Sequence, residues 1–223
     1  MSEAMKITDE IYQVGGGGLT SPEDAAIYLI DFTGHAALVD SGCGRSHDRV
    51  IKNILGCGID PQEIEYLLIT HCHYDHTGGA LDLKQLTQCR IVAHALDAPY
   101  LEEGNDKVTA SKWYGSKMEP LLIDRKLTLP REEILLGNRT VEAIHIPGHS
   151  PGSVAYLTES EGLRVLFAQD VHGPLDPSLL SNREDYLRSL DLLISLNADI
   201  LCEGHYGIYK GGVEINDFVR SFM

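Results

Sequence analysis

Four side chains that can bind a metal ion lie close together in the sequence and follow an apolar segment. The apolar residues are Leu67, Leu68 and Ile69, and the potential ligands are His71, His73, Asp75 and His76. Neutral imidazole suits zinc and other borderline transition metals, and a nearby carboxylate can bind or orient a water molecule. In an extended segment the side chains of His71, His73 and Asp75 lie on one side of the chain, and His76 follows in a turn. The segment therefore predicts a metal site at the end of a buried strand.

The alternative is that these histidines are ordinary surface or core residues. A single exposed histidine is usually a surface residue, and a lone buried one is usually a polar group satisfied within the core. Three histidines and one aspartate this close together would repel on protonation, and they would be costly to bury without a metal. We therefore favour the metal site.

The pattern His-x-His-x-Asp-His after a hydrophobic strand resembles the signature of the metallo-β-lactamase superfamily. The resemblance extends to three further ligand positions, which are His149 in a Gly/Pro-rich turn, Asp170 after an apolar strand and His205 near the C-terminus. It covers essentially the whole chain, and no linker divides the sequence. It implies a four-layer αβ/βα sandwich, an α/β fold, as a single domain over residues 1–223, with the metals at one edge of the two sheets.

The resemblance also implies two divalent metal ions, with zinc expected and manganese or iron as alternatives. One metal would be held by His71, His73 and His149, the other by Asp75, His76 and His205, and Asp170 would bridge them. Two neighbouring cations can deprotonate a bridging water near neutral pH, and the resulting hydroxide needs no side-chain nucleophile. Asp75 and Asp170 are the expected catalytic carboxylates.

The motifs leave the substrate class open. The Asp-and-His pattern at positions 75, 76 and 170 resembles that of the glyoxalase II, lactonase and phosphodiesterase branches more than that of β-lactamases, which use Cys in place of the bridging Asp. Glyoxalase II proper carries a C-terminal helical domain, whereas only 18 residues follow His205 here. Some lactonases place a Tyr shortly after the bridging Asp, and this chain has Val171 and His172 there. An ester or thioester hydrolase is the default expectation, with a lactonase or phosphodiesterase as alternatives.

Two further alternatives come from other classes of protein. Persulfide dioxygenases resemble this pattern but use one iron, held by residues that match His71, His149 and Asp170 and leaving positions open for oxygen and substrate. A non-catalytic metal-binding or scaffold protein on the same fold is the other alternative. Occupancy of all the ligand positions argues against the scaffold protein.

Several other residues are candidates for supporting roles. Asp40 lies in an Asp-Ser-Gly element and is expected to support the ligands rather than bind metal. His172 is expected to support the site or to face the substrate. His145 and Cys72 are interpreted as packed side chains.

The polar segment Gly104–Pro130 contains Trp113 and Tyr114 and lacks a sustained period. It is either a lid whose two aromatic side chains contact substrate or an ordinary connection, and the sequence favours neither.

The remaining chain must supply the elements that position these residues. Strands are expected over residues 25–32, 36–39, 66–70, 90–93, 141–147, 154–157, 164–168 and 200–202, with one strand or a hairpin over 5–14. Helices are expected after residue 46, from Ala80, over 95–103, after residue 182 and over 213–218. This order of strands and helices is typical of a layered α/β domain.

Composition narrows the partners. The net charge of −15 disfavours nucleic-acid binding. No apolar run reaches the ~20 residues that a membrane span needs. We therefore expect the partner to be a small-molecule substrate. The N-terminus lacks the basic and apolar regions of a signal peptide, and five scattered cysteines indicate reduced thiols, so the predicted location is cytoplasmic. A homodimer is one alternative for the oligomeric state.

Overall fold

Two β-sheets pack face to face over residues 4–223, the part of the chain that the computed structural model describes. The first sheet has the strand order β1-β2-β3-β4-β5-β6-β7. Its strands are β1 (Met5–Lys6), β2 (Ile11–Gly15), β3 (Ile27–Asp31), β4 (Ala36–Val39), β5 (Ile64–Leu68), β6 (Arg90–His94) and β7 (Arg125–Leu127). The second sheet has the order β13-β12-β11-β10-β9-β8. Its strands are β8 (Arg131–Leu136), β9 (Arg139–His145), β10 (Val154–Ser160), β11 (Leu163–Phe167), β12 (Ile200–Cys202) and β13 (Ile208–Lys210).

Helices connect the strands and cover the outer faces of the sheets. They are α1 (His47–Gly56), α2 (Tyr74–Thr77), α3 (Ala80–Thr87), α4 (Ala98–Glu102), α5 (Arg183–Ser195) and α6 (Gly212–Arg220). Short 3₁₀ turns lie at Pro61–Glu63, Ser111–Tyr114 and Pro177–Leu179. Within the described residues, no helix has both the length and the apolar composition needed to cross a bilayer. Residues 1–3, which were part of the N-terminal segment assessed for a signal peptide, lie outside the described residues.

Three hydrophobic layers hold the four structural layers together. Helices α1, α3 and α4 pack on the first sheet through side chains such as Leu83. The two sheets meet through residues that include Tyr28 and Phe167, whose ring centroids are 5.5 Å apart. Helices α5 and α6 pack on the second sheet through side chains such as Leu190 and Val219. Because both faces of each sheet are covered, the central strands are apolar on both sides, and the predicted four-layer αβ/βα sandwich is confirmed.

The strand directions bring the functional loops to one edge. Strands β4, β5 and β6 are mutually parallel, and β11 is parallel to β12. The carboxyl ends of parallel strands meet at the same edge of a sheet, where α/β proteins bind ligands. Asp40 follows β4, His71 follows β5, Asp170 follows β11 and His205 follows β12. The loop after β9, which contains His149, joins them from the second sheet.

The segment Gly104–Pro130 is more ordered than its sequence predicts. Its polar composition predicts an irregular connection, but it contains the 3₁₀ turn at Ser111–Tyr114 and the edge strand β7. Met118 is buried in the layer between the first sheet and its helices. Tertiary packing of a few apolar side chains therefore orders a segment that has no local periodicity.

Strands β8 and β13 are absent from the sequence prediction. In β8 only Ile134 and Leu136 are buried, and Arg131, Glu133 and Leu135 are exposed. This edge strand is too polar to be recognised alone, and it is stabilised by antiparallel pairing with β9. The three residues of β13 are only partly buried or exposed, and they pair with β12.

Candidate metal centre

Three imidazoles from two loops converge on one point. His71 and His73 lie after β5, and His149 lies after β9. The Nε2 atom of His149 is 3.2 Å from Nε2 of His71 and 2.9 Å from Nδ1 of His73. All three side chains are buried. A neutral imidazole has one nitrogen with a free lone pair, so this three-histidine group can direct its lone pairs at a common cation.

A second group forms beside it from Asp75, His76 and His205. Oδ2 of Asp75 is 3.5 Å from Nε2 of His76 and 3.2 Å from Nε2 of His205. The prediction that Asp75 continues the extended side of the two preceding histidines is wrong. Asp75 and His76 lie in the helical turn α2, and this turn directs Asp75 toward His205 instead.

Asp170 lies between the two groups. Its Oδ2 atom is 3.2 Å from Nε2 of His149, in the three-histidine group. Its Oδ1 atom is 3.2 Å from Nε2 of His76 and 3.3 Å from Nε2 of His205, in the second group. Each carboxylate oxygen therefore faces a different group. The residue adopts a left-handed backbone conformation, with φ 54°, and such strain in a non-glycine residue is concentrated at functional sites.

The buried polar atoms of this centre fit metal ions better than they fit one another. Nε2 of His76 and Oδ1 of Asp170 are buried, and neither makes a hydrogen bond of acceptable geometry although they are 3.2 Å apart. Buried polar groups normally have partners, and a site for an ion is one explanation when they do not. Both residues belong to groups of potential ligands whose atoms lie within 4.8 Å of one another. Imidazole nitrogens with carboxylate oxygens form a donor set suited to zinc and similar divalent cations.

The comparison with known families decides the assignment. Residues 20–205 match the model of the metallo-beta-lactamase superfamily. This chain belongs to the metallo-beta-lactamase superfamily. The resemblance carried by the sequence motifs is thereby confirmed.

Relatives within the superfamily include hydrolases. A probable metallo-hydrolase of Methanocaldococcus jannaschii is 29% identical over 125 residues, which cover 55% of this chain and 57% of that protein. The hydroxyacylglutathione hydrolase GloC of Haemophilus influenzae is 28% identical over 181 residues, which cover 78% of this chain and 81% of that protein. The chain thus spans little more than half of the first relative and most of the second.

Solved structures of the superfamily share the fold. A class B3 metallo-beta-lactamase with an active-site glutamic acid has a TM-score of 0.82 at 22% identity, covering 97% of this chain and 86% of that chain. A class B3 di-zinc metallo-beta-lactamase from an Alaskan soil metagenome has a TM-score of 0.76 at 28% identity, covering 91% of this chain and 78% of that chain. The chain therefore combines the fold of this superfamily with side-chain groups suited to metal binding.

The three-histidine group of this superfamily member is electrostatically prepared to bind a cation. Burial and the neighbouring imidazole of His76 hold the pKa of His71 well below its usual range. Burial and the imidazole of His149 lower the pKa of His73 to about 3. Both rings are therefore neutral at pH 7, and their lone pairs are available without the loss of a proton.

The second group has the opposite electrostatics. Burial alone would lower the pKa of His205, but the carboxylates of Asp170 and Asp75 beside its Nε2 atom raise it to about 10. Burial would likewise lower the pKa of His76, but the charges of Asp170, Asp75 and Asp40 hold it well above its usual range. Without a metal, the histidines of this group therefore bind protons, because the neighbouring carboxylates stabilise a positive charge.

We expect metal uptake by this group to release protons at neutral pH. The pKa of His205 is raised to about 10 and that of His76 is held well above its usual range, so both rings are protonated in the metal-free protein, and a cation must displace these protons. Zinc titration at pH 7 in buffers of different ionisation enthalpy should show about two protons released per chain from these two rings, in addition to any proton lost by a metal-bound water. The proton released from His205 on zinc binding should disappear as the pH rises through about 10, because the ring is then already neutral.

Matched variants check the origin of these protons. His205→Gln should release about one proton fewer than the wild type. His35→Gln, which changes a half-exposed histidine paired with Glu65, should leave the release unchanged. Zinc uptake without proton release would contradict this description of the second group.

The carboxylate of Asp40 contacts a histidine of the second group. Its Oδ2 atom is 2.7 Å from Nδ1 of His76 and accepts a hydrogen bond from the hydroxyl of Thr70 at 2.6 Å. Oδ1 accepts a hydrogen bond from the backbone N–H of Thr70 at 2.8 Å. Bonding at Nδ1 fixes the ring orientation of His76 and leaves Nε2 facing the centre.

His172 lies beside the centre and is paired with a residue that the sequence analysis missed. Its Nδ1 atom is 2.8 Å from Oε1 of Glu203, which is fully buried. Oε2 of Glu203 accepts hydrogen bonds from the backbone N–H groups of His205 at 2.7 Å and Tyr206 at 2.8 Å. Glu203 therefore shapes the loop that carries His205. The only sequence signal was an acid at the end of a predicted strand.

Two residues that could be mistaken for ligands lie outside the two groups. His145 is 2.9 Å through Nε2 from the carbonyl oxygen of Pro151, and its ring stacks on His94 with a centroid distance of 3.9 Å. Cys72 is buried in the layer between the first sheet and its helices. Their positions agree with the interpretation of both as packed side chains.

A cavity of about 260 Å³ opens onto the centre. It is lined by His73, Asp75, Ala110, Trp113, Tyr114, Asp170, His172, Pro174, Leu179 and His205. Trp113 is 59% exposed, and Tyr114 is partly buried beside Tyr74 with ring centroids 5.9 Å apart. Burial and the neighbouring carboxylate of Asp75 raise the pKa of Tyr114, so its hydroxyl keeps its proton at neutral pH.

Proposed function

We propose that this chain is a dinuclear metallohydrolase that cleaves an ester or thioester bond of a small molecule. The observation that carries the proposal is the position of Asp170, whose two carboxylate oxygens face different groups of ligand atoms at 3.2 Å each. A carboxylate between two cations is the arrangement expected of a two-metal hydrolytic site. The di-zinc lactamase at 28% identity supports two zinc ions, with manganese or iron as alternatives.

Different side chains would hold the two cations and the attacking water. His71, His73 and His149 would hold one cation, and Asp75, His76 and His205 the other, with Asp170 shared. When bound, two cations lower the pKa of a water molecule to near neutrality and polarise a substrate carbonyl oxygen. Asp75 and Asp170 place acceptor oxygens at the junction of the two groups, where they can hold the attacking water by hydrogen bonds.

The cavity supports a small substrate with an apolar part. Trp113, Leu179 and Pro174 supply apolar surface at its wall, and Tyr114 and His172 supply polar atoms near the ligands. Such a combination of apolar walls and a few polar groups is typical of small-molecule sites. The net charge of −15 argues against a nucleic-acid substrate.

The proposed bond type is supported by one relative. The Haemophilus influenzae protein is named for hydrolysis of hydroxyacylglutathione, and the aligned residues cover 81% of it. A lactone or a phosphodiester is the alternative substrate for the same centre. We also propose a cytoplasmic location, because all five cysteines are unpaired, as expected in a reducing compartment.

We expect Trp113→Ala to lower kcat/KM about tenfold for an ester with an apolar acyl group, because one aromatic contact with substrate contributes roughly 1.5 kcal/mol. Steady-state kinetics with acyl groups of increasing length would measure the change. Leu122→Ala is the matched control, since Leu122 belongs to the same segment, is 70% exposed and does not line the cavity. Unchanged kinetics for every hydrolysed substrate would exclude Trp113 from substrate binding.

Metal analysis of natively purified protein, followed by a substrate screen, tests the proposal as a whole. About two equivalents of zinc or manganese, with turnover of esters or thioesters, would support it. Turnover of lactones or phosphodiesters alone would select the alternative substrate. About one equivalent of iron, with oxygen uptake in the presence of a persulfide, would replace the proposal with a persulfide dioxygenase.

A further inference from the structure

Asp97 lies outside every motif identified in the sequence, yet its carboxylate is completely buried next to the centre. It precedes α4, and its relative exposure is 0%. Oδ2 accepts hydrogen bonds from the backbone N–H of Cys72 at 2.9 Å and from the hydroxyl of Ser150 at 2.6 Å. Oδ1 accepts a hydrogen bond from the backbone N–H of Gly152 at 2.7 Å. Three donors therefore stabilise this buried carboxylate.

The donors belong to the two loops that carry the three-histidine group. Cys72 lies between His71 and His73 in the loop after β5, which belongs to the first sheet. Ser150 directly follows His149 in the loop after β9, which belongs to the second sheet. A single carboxylate therefore joins two loops that come from different sheets, and each loop is held within one residue of a ligand.

We propose that Asp97 is a positioning residue that fixes His71 and His73 relative to His149 and so sets the metal affinity of the three-histidine group. This inference rests on the proposed metal centre. Metal ligands depend on outer hydrogen bonds for their orientation, and loss of such a bond typically weakens metal affinity about 10- to 100-fold.

The other contacts between the sheets at this edge cannot replace Asp97. The backbone N–H of Val154 donates to the carbonyl of Thr70 at 2.7 Å, and the hydroxyl of Tyr156 donates to the carbonyl of Ile69 at 2.8 Å. Both bonds hold residues 69 and 70 to strand β10. Neither reaches the loop residues on either side of His149. The hydroxyl of Ser181 donates to the carbonyl of His149 at 2.7 Å, and the N–H of Asn182 donates to the carbonyl of Gly148 at 2.8 Å. These two bonds tie the loop to the start of α5 and not to the loop of His71 and His73.

The fit around Asp97 is specific for a carboxylate. A Cβ atom at Gly152 would lie 2.6 Å from Cγ of Asp97 and 2.7 Å from its backbone nitrogen, so only glycine permits this approach. An asparagine at position 97 would have nearly the same shape but one donor in place of an acceptor. Its NH₂ group would then face an N–H or O–H donor in one of the two loops.

The second group depends on a different carboxylate, and this makes the inference selective. Asp40 contacts His76 directly and reaches His71 only through the hydroxyl of Thr70, which is 3.1 Å from Nδ1 of His71. The hydrogen bonds of Asp97 described above go only to the loops of the three-histidine group. Loss of Asp97 should therefore weaken one metal site and leave the other intact. A residue that only stabilised the fold would have no such preference.

The test is a zinc titration of the full chain against a chelating dye, with cobalt(II) absorption as the second readout. His205→Gln identifies which binding step belongs to the second group. We expect Asp97→Asn to weaken the step of the three-histidine group about 10- to 100-fold and to shift its cobalt(II) bands. The other step should be unchanged. Ser150→Ala removes only one of the three hydrogen bonds to Asp97 and should give a smaller loss of zinc affinity at the same step. It replaces Asp97→Asn as the test if that variant fails to fold.

Leu193→Ala is the control for stability, since Leu193 is buried against the second sheet on α5, away from both ligand loops. It should lower the unfolding free energy without weakening either step. Unchanged affinity in both Asp97→Asn and Ser150→Ala, equal weakening of both steps, or the same weakening in Leu193→Ala would overturn the inference. A wild-type chain that binds two zinc ions but hydrolyses no substrate would overturn only the proposed function, whereas one that binds no metal would overturn both.

Discussion

Asp170→Asn is expected to lower kcat/KM by more than about a hundredfold, since even outer partners of metal ligands contribute 10- to 100-fold. The substitution keeps the shape of the side chain but replaces one oxygen by an NH₂ donor. Both carboxylate oxygens of Asp170 face ligand nitrogens, so the NH₂ group must face one metal position in either orientation. The backbone conformation does not confuse the result, because asparagine tolerates the left-handed region that Asp170 adopts.

Metal content and steady-state kinetics on the same preparation measure this effect. We expect less than the wild-type amount of metal together with the loss of turnover. Asp191→Asn is the matched control, since it makes the same chemical change at an exposed position on α5, and it should behave as the wild type. An Asp170→Asn protein with full metal content and wild-type turnover would remove Asp170 from the centre.

Gly148→Ala is expected to disrupt the loop of His149 and to lower the unfolding free energy by about 3 kcal/mol or more, combining overpacking with an unfavourable positive φ. A Cβ atom at this position would lie 2.2 Å from the backbone nitrogen of Tyr186 and 2.3 Å from its Cα, and φ is 135°. Neither obstacle is a flexible side chain. The first turn of α5 or the loop must move, and the ligand at the next position must move with the loop.

Urea unfolding of the metal-free protein and zinc titration of the three-histidine group measure this result. Gly162→Ala is the matched control, because Gly162 also has a positive φ, 76°, but a Cβ atom there would meet no other atom within 4 Å. The unfolding free energy of this variant should fall by only the conformational cost of about 1–2 kcal/mol, and its metal affinity should be unchanged. Equal losses in the two variants would show that the contact with Tyr186 is unimportant.

The ligand candidates were accessible from the sequence because their pattern is local. His71, His73, Asp75 and His76 are adjacent and follow an apolar segment, so residue type and spacing are visible without a structure. The resemblance to the superfamily then added His149, Asp170 and His205, each at the end of a predicted strand. The structure brings all seven into adjoining groups, and their roles as ligands remain predictions for the metal titrations.

Local reasoning failed where one element overrode another. The extended geometry assumed for Asp75 was wrong because the chain turns into α2 directly after His73. The order in Gly104–Pro130 was missed because its apolar residues have no period and acquire order only by packing on the first sheet. Strand β8 was missed because an edge strand with polar side chains lacks a distinct hydrophobic pattern.

The sequence by itself determined the class of fold, the family and the residues that could bind metal, because these depend on strand patterns and short motifs. The resemblance already implied which ligands form which group, and the tertiary structure places them in those groups. The tertiary structure alone identified Asp97 and Glu203. Asp97 contacts residues 25, 53 and 55 positions away, and in the sequence it lies inside the helix expected over residues 95–103. Its partners become neighbours only when the two sheets close, since hydrogen bonds depend on distance in space and leave no periodic signal along the chain.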